Sequence, residues 1–181
     1  PLVRLRYRLA MSENLSEDES QGLNRDIGQL EALIEELLTY ARLDRPQNEL
    51  HPTSLNLNDW LRERIDEVRL IHADRNVELL LPTTAPTEQV DVRLMERVLD
   101  NLLNNALRYS QQQLRVTLQT QEQEIALTVE DDGPGIPTDE REHVFEPFVR
   151  LDPSRDRATG GCGLGLAIVH SIATAMSGHV S

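Results

Sequence analysis

Apolar side chains recur at Leu23, Ile27, Leu30, Ile34, Leu37 and Ala41, a 4-3-4-3-4 spacing. This is the heptad seam of a coiled coil or helical bundle. Leu33 and Leu38 widen the stripe, and Ser16 with Glu19 forms a capping box in front of it. Upstream, Leu2, Leu5 and Leu9 fall on one face of another helical segment, separated from the first by the polar stretch 12–21. Residues 1–43 therefore read as a helical hairpin. Two helices of this length cannot hide so much apolar surface against each other. A dimer that closes a four-helix bundle is the expected solution; the alternative is packing on the chain's own globular part.

Residues 44–56, DRPQNELHPTSLN, carry two prolines and several turn formers and read as a linker. Beyond it, Leu57–His72 is an amphipathic helix with Trp60, Leu61, Ile65 and Val68 inward. Val77–Leu81 is a short apolar strand, and Val90–Val92 offers another. In Arg93–Tyr109, Leu94, Val98, Leu102 and Ala106 follow a four-residue spacing, with Leu99 and Leu103 beside them. Leu114–Thr120 and Glu124–Glu130 alternate as two strands of a hairpin. Pro137 and Thr138 begin a short helix, and Gly163–Met176 is a last helix entered from glycines. Helices covering one face of a mostly antiparallel sheet define the α+β class.

Charge narrows the function. The 18 basic residues stand against 31 acidic ones, a formal charge of −13, and all 18 are arginine. Without lysine there is no P-loop and no strand lysine of a eukaryotic-type protein kinase. Phosphate must then be held by arginine, backbone N–H groups or a cation. Net acidity also argues against a general nucleic-acid binder. The one cysteine, Cys162, permits no internal disulfide, which fits a reducing compartment. No apolar run approaches the roughly 18–20 residues of a membrane span, and no signal peptide is expected in this stretch. The chain has no initiator Met and opens mid-pattern at Pro1, so it is expected to be part of a longer protein.

Three stretches carry chemistry. Asn101 and Asn105 stand one turn apart on a helix, so both carboxamides point the same way. Mg²⁺ takes few protein oxygens and completes its shell with water and substrate phosphate, so one Asn carbonyl suffices. Arg108 is close enough on the same helix to reach a phosphate oxygen. Solvated surface asparagines would show the same letters. Next, Asp131 ends a strand before Asp132 and the Gly133-Pro134-Gly135 turn. Its carboxylate can accept a hydrogen bond from an adenine amino group, and the glycines let backbone approach the ring. Ordinary acidic turns share this composition. Third, Gly160-Gly161-Cys162-Gly163-Leu164-Gly165 precedes a helix, whose uncapped N–H groups attract phosphate. The stretch between, VFEPFVRLDPSRDRATGG, reads as a mobile lid anchored by Phe145 and Phe148, with Arg150, Arg155 and Arg157 able to follow the phosphates. Cys162 is read as a small residue in a tight loop. His51, His72, His143, His170 and His179 show no metal-ligand spacing and no partner acid at a suitable offset, and are taken as structural or exposed.

Together these stretches resemble the boxes of bacterial sensor histidine kinases. NLLNNALRY is similar to the N box, DDGPG to the G1 box, FEPF to the F box and GCGLGL to the G2 box. The opening PLVRLRYRL resembles the end of the H box, and the hairpin resembles the dimerisation and histidine-phosphotransfer domain. The likeness covers nearly the whole chain and extends to the ATPase group shared with gyrase B, Hsp90 and MutL.

This resemblance implies a hairpin (1–43), a linker (44–56) and an α/β sandwich of the histidine-kinase ATPase type (57–181), binding ATP and Mg²⁺. It implies that Asn105 coordinates Mg²⁺, that Asn101 lies beside the phosphates, that Arg108 contacts phosphate and that Tyr109 lines the adenine site. Asp131 would bond the adenine amino group, Gly133 and Gly135 would shape that wall, and Gly161, Gly163 and Gly165 would form the phosphate-binding end of the lid. The phosphoacceptor histidine is expected upstream of Pro1, and a further strand after Ser177-Gly178. The implied protein is a homodimer through the hairpin and the cytoplasmic domain of an inner-membrane protein. In it, phosphate would pass from ATP to a histidine and on to a response-regulator aspartate. The alternative is a nucleotide-gated dimeric interaction module of the same ATPase group.

Overall fold

A computed structural model describes residues 16–43, 50–121, 124–151 and 162–181. The first segment of the expected hairpin (around Leu2, Leu5 and Leu9), linker residues 44–49, and Gly160, Gly161, Arg155 and Arg157 lie outside the described residues. The heptad segment is a single helix, α1 (Glu17–Leu43). The other elements are β1 (Thr53–Asn56), α2 (Leu57–Ile71), β2 (Asn76–Leu80), β3 (Thr87–Val90), α3 (Val92–Tyr109), β4 (Gln113–Gln121), β5 (Glu124–Asp131) and α4 (Gly165–Ala175). Two short 3₁₀ turns, Thr138–Glu140 and His143–Phe145, stand where the sequence suggests one short helix.

One difference falls in the linker. Thr53–Asn56, its last four residues, form β1, paired antiparallel with β3 so that Thr53 faces Val90 and Asn56 faces Thr87. Four residues with little apolar content give no period, so only the pairing reveals this strand. Asn56 then starts α2 directly: its side chain accepts from the Asp59 N–H at 3.1 Å, an N-cap that fixes the helix start.

The larger sheet has the order β2-β4-β5. The β4–β5 hairpin is antiparallel, whereas β2 and β4 are parallel, with Val77 opposite Leu114. Parallel neighbours need a crossover, and here the intervening chain includes α3. In β4, Leu114, Val116 and Leu118 are buried at a period of two. They face Leu57, Trp60, Leu61 and Ile65 of α2, Val77 of β2, and Leu99, Leu103 and Ala106 of α3 in one cluster. This is a two-layer α/β sandwich, with burial of each large side chain contributing roughly 1.5–3 kcal/mol. Leu102 is only half-buried, so the inward stripe of α3 runs through Leu99, Leu103 and Ala106 rather than through Leu102.

A second cluster joins α1 to the sandwich. Leu164, Ile168 and Ile172 are buried, with Leu94 and Val98 of α3, Met176 and Tyr40 of α1 packed against them. So the C-terminal half of α1 does pack on the globular part. Leu23, Leu30, Leu33, Ile34, Leu37 and Leu38 nevertheless remain between 39 % and 50 % exposed. Among the described residues, no helix is long and apolar enough to cross a membrane.

The start of α3 is fixed by Asp91, whose side chain is almost fully buried. One oxygen accepts from the Arg93 N–H at 3.2 Å, and the other from the His51 N–H at 3.0 Å. The Arg93 guanidinium lies 2.9 Å away. Arg93 pulls the Asp91 carboxyl down to about 2 against the upward push of burial, and the His51 N–H helps. Because the folded-state value lies below the ordinary one, this contribution is complete at neutral pH and is lost as pH falls through about 2. Asp91→Ala is therefore expected to cost about 1–2 kcal/mol at neutral pH. In urea unfolding, the gap to the unsubstituted chain should narrow steadily from about pH 4 downward; a gap that does not vary with pH would contradict the assignment.

Candidate functional site

With Leu99, Leu103 and Ala106 turned into the core, α3 presents Asn101 and Asn105 half-buried on another side. The Asn101 amide donates to the Arg97 carbonyl at 2.7 Å. Its oxygen would lie 3.0 Å from a Cβ at Gly165, so the first residue of α4 sits directly against the Asn101 carboxamide. Arg108 and Tyr109 are exposed at the other end of the helix.

That end meets the turn after β5. One Asp131 oxygen accepts from the Gly133 N–H at 2.8 Å. A Cβ at Gly133 would lie 2.5 Å from that oxygen and 2.6 Å from the Tyr109 carbonyl oxygen, so no side chain fits there. Gly135 has φ +73° and nothing within 4 Å of its Cβ position; it is an open turn glycine. Asp132 carries a role beyond that of a turn acid. Its carboxylate accepts from Gln111 N–H at 2.7 Å and from Gln112 N–H at 3.1 Å. The repeated acid in DDGPG was the available signal.

The stretch leading into α4 is held by backbone. Phe148 has φ +67°, and its N–H donates to the Gly163 carbonyl at 2.9 Å. Gly163 has φ +75°, and a Cβ there would stand 2.7 Å from the Val149 carbonyl oxygen. Phe145 packs its ring 6.1 Å from that of His170 on α4, with Val144 buried beside it. Phe148, expected as a second anchor, is 60 % exposed; its left-handed backbone turns the ring outward, and Gly163 anchors this point instead. Arg150 is exposed. His143 does have a partner acid: its Nδ1 is 3.0 Å from Glu146, which, with the other nearby carboxylates, raises the imidazole above its ordinary value. The three-residue offset across a 3₁₀ turn brings the two together.

Cys162 is tied to α1. Its thiol donates to Glu36 of α1 at 2.6 Å. Burial first, then the Glu36 carboxylate, pushes it up to about 11. Beside it, Arg97 of α3 lies 4.0 Å from Glu35.

The fold thus brings the stretches together in pairs, Asn101 with Gly165, Tyr109 with Asp131 and Gly133, and Phe148 with Gly163. Among the described residues no three His, Cys, Asp or Glu side chains gather to hold a metal. A cation beside Asn105 would take most of its oxygens from a substrate and water, the habit of Mg²⁺.

Residues 90–181, just over half of the chain, match the family model for the histidine kinase-, DNA gyrase B- and HSP90-like ATPase. The chain belongs to this ATPase family. It is 62 % identical over 181 residues to the sensor protein RstB of Escherichia coli strain K12, covering all of this chain and 42 % of RstB. To the sensor histidine kinase CpxA of the same strain it is 33 % identical over 176 residues, 94 % of this chain and 38 % of CpxA. It therefore spans less than half the length of these relatives. Among solved structures, the Acinetobacter baumannii histidine kinase AdeS superposes with a TM-score of 0.72 at 29 % identity, over 99 % of this chain and 85 % of that one. Full-length ShkA in complex with AMPPNP superposes with a TM-score of 0.76 at 24 % identity, over 97 % of this chain and 41 % of that one, a likeness of fold. These relatives favour the sensor-kinase reading over that of a nucleotide-gated interaction module.

In this ATPase domain Cys162 is expected to react with iodoacetamide at least about tenfold more slowly than glutathione at pH 8, because little thiolate forms. Glu36→Gln should speed the reaction, since the carboxylate opposes ionisation. Intact-mass kinetics check both, and alkylation as fast as glutathione would contradict the burial of this thiol.

Proposed function

We propose that this chain binds ATP with Mg²⁺ along the line where α3 meets both the Asp131–Gly135 turn and the start of α4. The observation that carries this reading is the double contact of α3, with Gly133 against the Tyr109 carbonyl and Gly165 against the Asn101 carboxamide. Membership of an ATPase family supports it, as does the likeness to ShkA, which was solved with AMPPNP.

In this proposal Asp131 recognises the adenine amino group. One of its oxygens holds the Gly133 N–H, which leaves the other to accept from the base. Tyr109 lies against the ring, and Gly133 and Gly135 keep that wall free of side chains. Asn105 offers its carboxamide oxygen to Mg²⁺, whose charge offsets that of the phosphate oxygens when bound. Asn101, Arg108 and Arg150 serve the phosphates. So do the N–H groups where α4 begins, since that helix carries no side-chain cap. Gly163 and Gly165 shape this end, and Gly161 joins them on sequence alone.

For the whole protein we propose a two-component sensor histidine kinase: the γ-phosphoryl group of ATP passes to a histidine of the hairpin upstream of Pro1, then to an aspartate of an RstA-like response regulator. The exposed leucine stripe of α1 supports a homodimer through the hairpin. The domain would stand on the cytoplasmic side of an inner-membrane protein, with the membrane contacts made by other segments of it, and with no nucleic-acid partner.

Titration calorimetry with ATP, with and without Mg²⁺, tests the site. Asn105→Ala is expected to remove the Mg²⁺-dependent part of the affinity, a loss of more than about tenfold; an unchanged affinity breaks the assignment. Incubated with radiolabelled ATP, the 181-residue chain should not label itself, whereas a chain extended to include the upstream histidine should. Labelling of the shorter chain would make one of its own five histidines the acceptor.

A further inference from the structure

Between α3 and β4 the chain turns in three residues, Ser110–Gln112, and none of their backbone groups is left to chance. The Ser110 N–H closes the helix on the Ala106 carbonyl at 2.8 Å. The carbonyls of Ser110, at 3.1 Å, and of Gln111 both accept from one nitrogen of Arg75. The N–H groups of Gln111 and Gln112 both donate to the Asp132 carboxylate. The Gln112 carbonyl accepts from Asn76 N–H at 2.8 Å, and Asp132 N–H returns to the Gln113 carbonyl at 3.2 Å. All six backbone groups of the loop are bonded, four of them to charged side chains on two sides, which makes its backbone rigid although the Ser110 hydroxyl is buried without a partner. Arg75 is three-quarters buried, and Asp132 is half-buried.

We propose that Asp132 and Arg75 are positioning residues that clamp Ser110–Gln112 and so set the spacing between Asp131, on one side of the base, and the Tyr109 end of α3. The proposal rests on the nucleotide reading above. Asp132 is spent on the loop and stands between Asp131 and Gly133, so any shift of its carboxylate is passed to both. Opposite charges pull on the same three residues: the guanidinium takes the carbonyls left over at the helix end, and the carboxylate takes the N–H groups. Loosening either should relax the grip on the base more than the grip on the phosphates. Adenine offers an amino donor to Asp131 where guanine offers a carbonyl oxygen, so discrimination between the two depends on where Asp131 stands.

The test compares ATP and GTP affinities, each with Mg²⁺, by calorimetry. The unsubstituted chain should prefer ATP. Asp132→Ala should lose about tenfold in ATP affinity with little change for GTP. Asp132→Asn, which keeps an oxygen acceptor, should recover most of the loss, and Arg75→Met should move in the same direction as Asp132→Ala. Arg69→Met, which removes the bonds from α2 to the Val77 carbonyl, loosens the fold elsewhere and should leave the ATP-to-GTP ratio unchanged. If Asp132→Ala does not fold, Arg75→Met decides. A folded Asp132→Ala or Arg75→Met variant with unaltered affinity and ratio overturns the clamp. So does equal compression of the ratio in Arg69→Met. Failure of the unsubstituted chain to bind either nucleotide overturns the nucleotide reading and the clamp with it.

Discussion

One helix has to face two ways. α3 buries Leu99, Leu103 and Ala106 in the core, while its other side carries the asparagines and its end meets the turn after β5. A helix cannot roll to improve one face without spoiling the other, because the side chains of both are fixed to one cylinder. The surrounding structure therefore grips its ends. Asp91 sets the start, capping the first turn and holding the incoming segment at His51. At the finish, Arg75 and Asp132 take up the polar groups of Ser110–Gln112. Both grips use buried or half-buried charge, which is worthwhile only where hydrogen bonds compensate the desolvation.

The glycines follow from the same constraint. At the two points where α3 meets the turn after β5 and the start of α4, a glycine makes the contact. Gly133 approaches the Tyr109 carbonyl and Gly165 the Asn101 side chain, while Gly163 lies under Val149. A Cβ at Gly133 or Gly163 would force the elements apart, and at Gly163 the positive φ adds strain. These glycines are spacers that permit close packing, a different role from that of Gly135, which stands open and serves the turn alone.

The parts that could be read from the sequence are those whose spacing is set by a single element. The inward faces of α2 and of β4 follow from periods of 3.6 and two. Asn101 and Asn105 follow from helical spacing, and Asp131 from its place between a strand and a glycine turn. What was not legible depends on contacts between elements distant in sequence. β1 exists because β3 pairs with it. Asp132 and Arg75 matter because the fold brings residues 75, 110–112 and 132 to one point. The outward turn of Phe148 comes from its exchange with Gly163, which no local pattern encodes. The partner acid of His143 stands three residues on, an offset set by the 3₁₀ turn and not by any local pattern.

The helix α1 shows how a single stripe can be read too simply. Its heptad residues suggest either a partner or packing on the chain's own globular part, and it does some of the second: Tyr40 packs on α4 and Glu36 accepts from Cys162. At 100° per residue, Glu36 and Thr39 fall roughly 130° and 170° from the mean direction of Leu23, Leu30, Ile34 and Leu37, while Tyr40 falls roughly 90° away, beside Leu33 at the edge of the stripe. The docking face and the leucine face therefore adjoin at Tyr40 and Leu33 and are otherwise distinct. A helix arranged in this way can rest on its own ATPase domain through one side while the exposed leucines of the other stay available to the proposed dimer. The contact with α4 adjoins Cys162 in sequence, so α1 packs against the helix that Gly165 opens.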